Sequence, residues 1–292
     1  MGLLFYINNM EHFGFKTWDK TPNTIDKNAR VMVRYFYVDV PNKDKNRLIR
    51  IYLPSTYDFD NPLIRFPVLY MMDGKNLFDD YTSFVGEWGV DETIEEMIKN
   101  KTSKGIIVVG IDSAKTDIDR TLEMLIPHIE TKFQRENRGY SNILGDFIFN
   151  ELKPFVDEHF HTLSDKENTG VGGSSMGGLM AFYLGEKYRD KVGFSLCFSP
   201  AFFLYKKRAW EEYLKANIIN KDGLGKFYFY VGGVGFESEF VSLTISTYEY
   251  FQKIGFTDKE ITLVVDETKE HNEKAWREYF PLGINFWIND KN

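Results

Sequence analysis

The fold is decided by the stretch TGVGGSSMGG at residues 169–178, which runs directly into the apolar helical sequence LMAFYL at residues 179–184. Residues 169–172 are typical of a short buried strand, and the small residues after them allow a sharp turn into a helix. Ser175 has a glycine two positions before it and another two positions after it. This pattern is typical of a nucleophile elbow, in which a strained turn exposes a serine hydroxyl above a sheet.

Other interpretations of the same glycines are weaker. Ser174 is followed two positions later by Met176 instead of glycine, so it fits the elbow less well. Phosphate binding by a P-loop would need a Lys-Ser or Lys-Thr pair after the glycines, and none follows. A glycine-rich turn that merely packs a strand against a helix is the structural alternative. The strand-to-helix context favours Ser175 as a nucleophile, with the N–H of Met176 opening the helix and facing an oxyanion.

Outward from this turn, strand and helix patterns alternate along the chain. Strands are predicted at residues 29–40, 47–53, 66–72, 105–111, 169–172, 192–198, 226–231 and 260–265, and helices at 140–160, 175–188, 239–254 and 272–288. The alternation predicts an α/β fold with a mostly parallel central sheet, helices on both faces and an antiparallel N-terminal edge. We expect a single domain over residues 1–292, with residues 1–28 as a peripheral extension.

A nucleophilic serine needs a histidine that accepts its proton and later returns it to the leaving group. In hydrolases with a nucleophile elbow the order along the chain is serine, acid, histidine, and only His271 of the five histidines follows Ser175. His271 comes shortly after a predicted strand, where the base is expected. His159 and His161 are two residues apart at a helix end and do not share a face, so we predict no metal site there.

The acid that orients the histidine is expected after the strand at 226–231. Glu237 lies in the glycine-rich loop that follows this strand and is the favoured candidate. Glu239 is an alternative, although it could instead serve the first turn of the next helix. Asp266, between the last strand and His271, is a third and more distant candidate.

Composition and charge exclude several classes of function. The chain has 36 basic and 43 acidic residues, a formal charge of −7 and no basic block, so we predict no nucleic-acid partner. No stretch approaches 18 apolar residues, and the apolar run at 3–7 is too short for a signal peptide. We therefore expect a cytoplasmic protein that does not span a membrane. The single cysteine, Cys197, allows no intramolecular disulfide and is expected to be buried.

Several segments together resemble the esterase D, or Putative esterase, family of α/β-hydrolases, which includes feruloyl, acetyl-xylan and siderophore esterases. The resemblance spans about residues 47–287 and rests on VLYMMDGKNLF at 68–78, WGVDET at 88–93 and the stretch 146–199 around GSSMGG. It also includes Trp276, five residues after His271.

The resemblance implies that the loop after the strand at 66–72 supplies a second oxyanion N–H, from Lys75 or its neighbour. Many members of the family have histidine where this chain has Asp73, but the donor is a backbone group. The family's acid position varies, and some siderophore esterases resemble a Ser-His dyad. Trp88 would line the substrate pocket or belong to the core.

The resulting expectation is a serine carboxylic-ester hydrolase with Ser175, His271 and Glu237 as its triad and the N–H groups of Met176 and Lys75 as its oxyanion hole. It would cleave a small or carbohydrate-linked ester through an acyl-enzyme and would need no metal or organic cofactor. A siderophore-type esterase, an acyltransferase and a non-catalytic binding protein remain alternatives. The substrate is not predicted, because the shape of its pocket depends on the loops at 79–86 and 202–225. The sequence does not predict an oligomeric state either.

Overall fold

A computed structural model describes residues 18–19, 32–38, 47–133 and 138–288 of the chain. All strands within these residues join one sheet in the order β1-β2-β3-β5-β4-β6-β7-β8-β9. The strands are β1 (Trp18–Asp19), β2 (Met32–Val38), β3 (Arg47–Leu53), β4 (Val68–Met72), β5 (Ile107–Ile111), β6 (Thr169–Ser174), β7 (Phe194–Phe198), β8 (Lys226–Gly232) and β9 (Ile261–Asp266).

The pairing of neighbouring strands changes once across the width of the sheet, from antiparallel to parallel. Strands β1, β2, β3 and β5 pair antiparallel, whereas β5, β4, β6, β7, β8 and β9 run parallel to one another. The predicted mostly parallel sheet with an antiparallel N-terminal edge is therefore confirmed. Of the proposed peripheral extension at 1–28, only Trp18–Asp19 is described, and these two residues pair with β2 at the sheet edge.

Helices cover the sheet, and within the described residues none is both long and apolar enough to cross a bilayer. The α-helices are α1 (Val90–Lys99), α2 (Asp117–Met124), α3 (Ser141–Phe147), α4 (Lys153–His159), α5 (Met176–Lys187), α6 (Lys207–Asn217), α7 (Ser238–Lys253) and α8 (Glu273–Ile288).

The helix predicted at 140–160 is present but is interrupted. A π-helical turn at Ile148–Leu152 separates α3 from α4. Pro154 lies at the start of α4 and has no N–H to donate to the preceding turn, which accounts for a change of hydrogen-bonding register at this point. The apolar period continues through the interruption, which is why the sequence predicts one helix.

Three helices were not predicted, and one of them corrects an expectation. The segment 202–225, treated as a loop, contains α6, whose buried anchors are only Trp210 and Leu214 among charged residues. Helix α1 buries Val90, Ile94 and Met97 at helical spacing, but acidic residues separate them. Short helices with two or three apolar anchors give a weak periodic signal. Tertiary packing on the sheet stabilises them.

The core has two parts, one on each face of the sheet. Alternate residues of β4 divide between them: Val68, Tyr70 and Met72 face one cluster, and Leu69 and Met71 face the other. The first cluster packs against α5, which is buried along nearly its whole length and apolar on all sides. The second packs against α1 and α8. Cys197 of β7 is fully buried in the first cluster.

Candidate active site

The candidate site lies at the carboxyl ends of the parallel strands, where the loops of an α/β sheet converge. Strand β6 ends at Ser174, and the next residue, Ser175, precedes α5. Strand β8 leads to Glu237 in the short 3₁₀ turn Gly235–Glu237, and β9 leads to the loop that carries His271. The parallel order of β6, β7, β8 and β9 thus brings together three side chains that are far apart in sequence.

Ser175 occupies a strained backbone conformation, with φ 57° and ψ −119°. A non-glycine residue rarely adopts a positive φ, and such outliers persist only where surrounding contacts enforce them. Here the N–H of Ser175 donates to the carbonyl of Phe198 at 3.0 Å, and its carbonyl accepts from the N–H of Ala201 at 3.1 Å. The chain therefore turns sharply at the serine, as the elbow motif predicts.

The glycine two residues before Ser175 is required by a close backbone approach. A Cβ on Gly173 would lie 2.6 Å from the carbonyl carbon of Gly177. Strand β6 and helix α5 therefore meet backbone to backbone, and the sharp turn depends on this contact.

Glu237 is completely buried and accepts hydrogen bonds from three different directions. Nδ1 of His271 and Oγ of Ser199 contact its two carboxylate oxygens, and the N–H of Gly232 donates to it at 2.8 Å. Because the carboxylate accepts at Nδ1, the neutral His271 carries its proton there and has none on Nε2.

The two alternative acids lie elsewhere. Glu239 is exposed in the first turn of α7. Asp266 accepts from the N–H of Thr268 at 2.9 Å and from the hydroxyl of Tyr279. A further hydrogen bond, from the hydroxyl of Thr268 at 2.6 Å, contributes most to lowering the pKa of Asp266 to about 2, and the other two bonds add to it. Within the described residues, neither Glu239 nor Asp266 forms a hydrogen bond or ion pair with His271.

Aromatic rings hold the imidazole of His271 in place. Phe240 stacks on it with ring centroids 4.4 Å apart, and Trp276 meets it edge-on at 4.9 Å. Nε1 of Trp276 also donates to Oγ of Ser199 at 2.9 Å, which completes a chain of hydrogen bonds to Glu237. Sequence reasoning missed Ser199. Its position directly after β7 was the available signal.

The loop after β4 forms the opposite wall of the site. Asp73 has a left-handed conformation, with φ 57° and ψ 48°, and begins the 3₁₀ turn Gly74–Asn76. The N–H of Asn76, one neighbour of the predicted oxyanion donor Lys75, donates to the carbonyl of Asp73 at 2.9 Å. Arg120 of α2 holds Asp73 through two hydrogen bonds of 2.7 Å, a pair that the sequence did not indicate.

A cleft of about 360 Å³ joins these groups. Ser175, His271 and Lys75 all line it, and Phe84 and Val85 form an exposed apolar rim. Met176 begins α5 beside the cleft, and the first N–H groups of a helix have no helical acceptor. The predicted nucleophile, the predicted base and one of the two predicted oxyanion donors therefore line one cleft.

Trp88 is placed differently from a pocket residue. It is 2% exposed, and its ring packs against Phe198 at 5.0 Å and Trp276 at 5.6 Å. Trp276 lines the cleft, and Trp88 packs behind it within the core. The structure thus favours the core role of Trp88 among the two that the sequence left open.

One acidic group of the described residues has atoms close enough together for a metal ion. Glu87, Asp91 and Glu92 place ligand oxygens within 4.8 Å of one another. Arg277 already faces two of them, with its nitrogens 3.9 Å from Glu87 and 4.0 Å from Glu92. Burial, and then the charge of Glu92, raises the pKa of Asp91 to about 9. A proton on Asp91 and the charge of Arg277 both reduce the repulsion among these carboxylates.

Comparisons with known proteins agree with this fold. The chain is similar to the uncharacterized protein YbbA of Bacillus subtilis (strain 168), with 21% identity over 257 residues, or 86% of this chain and 96% of that protein. The structure of the BES protein from Bacillus cereus matches with a TM-score of 0.66 and 17% identity, covering 93% of this chain and 99% of that chain. The siderophore hydrolase EstB from Aspergillus nidulans matches with a TM-score of 0.65 and 19% identity, covering 88% and 94%.

The family comparison is more specific than these likenesses, which at such identities show a shared fold. A family model described as Putative esterase matches residues 42–223, more than half of the chain. That segment contains both the turn at Ser175 and the loop at Lys75, and its extent shows that the chain belongs to the Putative esterase family.

Proposed function

We propose that the protein is a serine carboxylic-ester hydrolase that acts through an acyl-enzyme on a small or carbohydrate-linked ester. The observation that carries the proposal is the hydrogen bond between the buried carboxylate of Glu237 and Nδ1 of His271, at a cleft that Ser175 also lines. A carboxylate, an imidazole and a serine in this order form the chemical unit of serine hydrolases. The contact favours a triad over a Ser-His dyad.

In the first half of the proposed reaction, Oγ of Ser175 attacks the ester carbonyl while Nε2 of His271 takes its proton. Negative charge develops on the carbonyl oxygen and is stabilised by the N–H groups of Met176 and Lys75. The imidazolium, steadied by Glu237, then donates the proton to the departing alcohol. The acyl group remains on Ser175 as an ester.

In the second half, a water molecule takes the place of the alcohol. His271 accepts its proton, the hydroxide attacks the acyl carbonyl, and the acid is released as Ser175 regains its proton. An alcohol in place of water would give acyl transfer by the same steps. Product analysis of the released acid distinguishes hydrolysis from transfer.

The first test is Ser175→Ala, assayed on p-nitrophenyl acetate. We expect turnover to fall by about four orders of magnitude or more, because a triad works as a unit. Ser174→Ala is the matched control, and a fluorophosphonate probe should label wild type and this control at Ser175. Wild-type turnover by Ser175→Ala, or no labelling of the wild type, would reject the proposal and favour a non-catalytic binding protein.

Substrate class is tested with a panel of acetylated and feruloylated sugars, a trilactone siderophore and simple acyl esters. The trilactone belongs in the panel because EstB, a siderophore hydrolase, shares the fold. Comparison of kcat/KM across the panel ranks these classes.

A further inference from the structure

The cleft contains a carboxylate that the proposed reaction does not use. Glu273, two residues after His271, lines the same cleft as Ser175 and is only 7% exposed. Its oxygen Oε1 accepts a hydrogen bond from Nδ2 of Asn76 at 3.2 Å. A carboxylate placed beside a reacting ester group and held by a neutral amide has remaining capacity to accept hydrogen bonds.

Two arginines near the cleft are engaged with other carboxylates, whereas Lys75, which lines the cleft, has its ammonium 5.9 Å from the ring centre of Phe84. Arg120 donates twice to Asp73, and Arg277 faces the acidic group formed by Glu87 and Glu92. Within the described residues, no ion pair involves Glu273. Burial raises the pKa of Glu273, and the charges of His271 and Arg120 offset this only in part.

Capping of α8 does not explain where this side chain lies. Oδ1 of Asn272 already accepts from the N–H of Ala275 at 3.0 Å and so caps one of the free N–H groups of the helix start. A carboxylate in the first turn stabilises the helix dipole equally well from an exposed position. Glu273 instead lies in the cleft, where burial has a cost unless a partner arrives.

We propose that Glu273 is a specificity-determining residue that binds an O–H or N–H donor of the substrate close to the scissile ester. The inference rests on the proposed esterase function and narrows its substrates to esters that carry a hydroxyl or ammonium group within reach of this carboxylate. Asp117, which also lines the cleft, adds negative charge and favours the same kind of group.

The test compares wild type with Glu273→Gln on p-nitrophenyl esters of propionic, L-lactic and L-alanine acyl groups, which share one carbon skeleton. Glutamine keeps an oxygen for Asn76 and removes the charge. We expect kcat/KM on propionate to change less than about 2-fold, and on the lactate or alanine ester to fall at least about 10-fold. Glu267→Gln, an exposed carboxylate outside the cleft, is the matched control.

The alcohol side of the ester is tested in parallel, with propyl acetate and 2-hydroxyethyl acetate. A selective loss in either series supports the inference and shows which side of the ester Glu273 contacts. The alanine ester separates an ammonium donor from the hydroxyl of lactate. Comparison of each substrate between two variants cancels its intrinsic reactivity.

Two outcomes would overturn the inference while leaving the esterase function intact: an equal loss on all esters, or no change on any. If wild type and Ser175→Ala are equally inactive on every ester, the esterase function itself fails. If Glu273→Gln does not fold, the inference is still tested by a comparison of two esters on the wild type. The 2-methoxypropionate ester, whose donor is blocked, must be a poorer substrate than lactate whenever the 2-hydroxyl is the group bound.

Discussion

At the scale of single residues, the carboxylate of Glu237 decides how the candidate site is organised. It is fully buried, and its hydrogen bonds to Ser199, Gly232 and His271 fix both of its oxygens. A carboxylate held in this way keeps the imidazole in one tautomer and one orientation. The orientation of the His271 ring therefore depends on contacts made by the ends of β7 and β8 and by the loop after β9.

Replacement of Glu237 by glutamine tests this role. Glu237→Gln retains the shape but can place its amide N–H against the ring, which favours the wrong tautomer of His271. We expect kcat to fall by about 10³- to 10⁴-fold on p-nitrophenyl acetate. Glu239→Gln, an exposed carboxylate two residues later, should keep wild-type kcat. Equal effects of the two substitutions would contradict the assignment.

The sequence predicts part of this site and leaves part open for physical reasons. Ser175 and His271 follow from the elbow motif and from chain order. Glu237 and Glu239 are both carboxylates in the same short segment, and only burial in the fold separates them. Ser199 and Glu273 carry no motif, because their roles come from strand ends and a helix start that meet in space.

At the scale of elements, the turn between β6 and α5 determines the position of Ser175. The strand and helix approach each other at Gly173 and Gly177, and no side chain separates them. The positive φ of Ser175 is maintained by hydrogen bonds to the segment after β7. The neighbouring strand is thus part of the elbow.

Adjacent glycines of β6 provide a matched test. A Cβ at Gly173 would meet backbone atoms of Gly177 at 2.6 Å, whereas a Cβ at Gly172 would meet Leu196 at an ordinary 3.4 Å. We expect Gly173→Ala to lower the free energy of unfolding by about 1–3 kcal/mol and to reduce probe labelling of Ser175. Gly172→Ala should stay close to wild type in urea unfolding. Similar losses for both would argue against the close approach.

The sequence predicted those elements whose apolar pattern extends over many residues and missed helices whose pattern has only two or three apolar residues. The strand at 47–53 agrees with β3 at both ends, and the helix predicted at 175–188 lies within one residue of α5. Helices α1, α2 and α6 have few buried anchors, so local sequence determines them less than packing does. The order of strands in the sheet is also set by long-range packing, which no local pattern contains.

At the scale of the whole molecule, the buried acidic group at Glu87, Asp91 and Glu92 links folding to pH. The pKa of Asp91 is raised from 3.8 to about 9 by burial and by Glu92, so the folded protein retains a proton that the unfolded chain releases above pH 4. The contribution of this proton to the free energy of unfolding is fully present below pH 4 and is lost as the pH rises toward 9.

Substitution of Asp91 by asparagine, which mimics the protonated form, should remove this dependence. We expect the Tm of Asp91→Asn minus that of wild type to increase from pH 5 to pH 8, by roughly 2–4 °C for each kcal/mol gained. Thermal unfolding at several pH values measures the difference. Asp190→Asn, at an exposed position, is the control. Parallel pH curves for Asp91→Asn and wild type would show that Asp91 is ionised in the folded state.

The edge-on contact between Trp276 and His271 gives the molecule an optical consequence. Indole emission responds to charge and to hydrogen bonding at the ring. Trp276 contacts His271, whose ring can gain a charge, and donates a hydrogen bond to Ser199. In the proposed reaction, each turnover moves a proton onto and off that imidazole. We expect intrinsic fluorescence to change as the acyl group loads and leaves, so that stopped-flow emission can follow colourless natural esters without a dye.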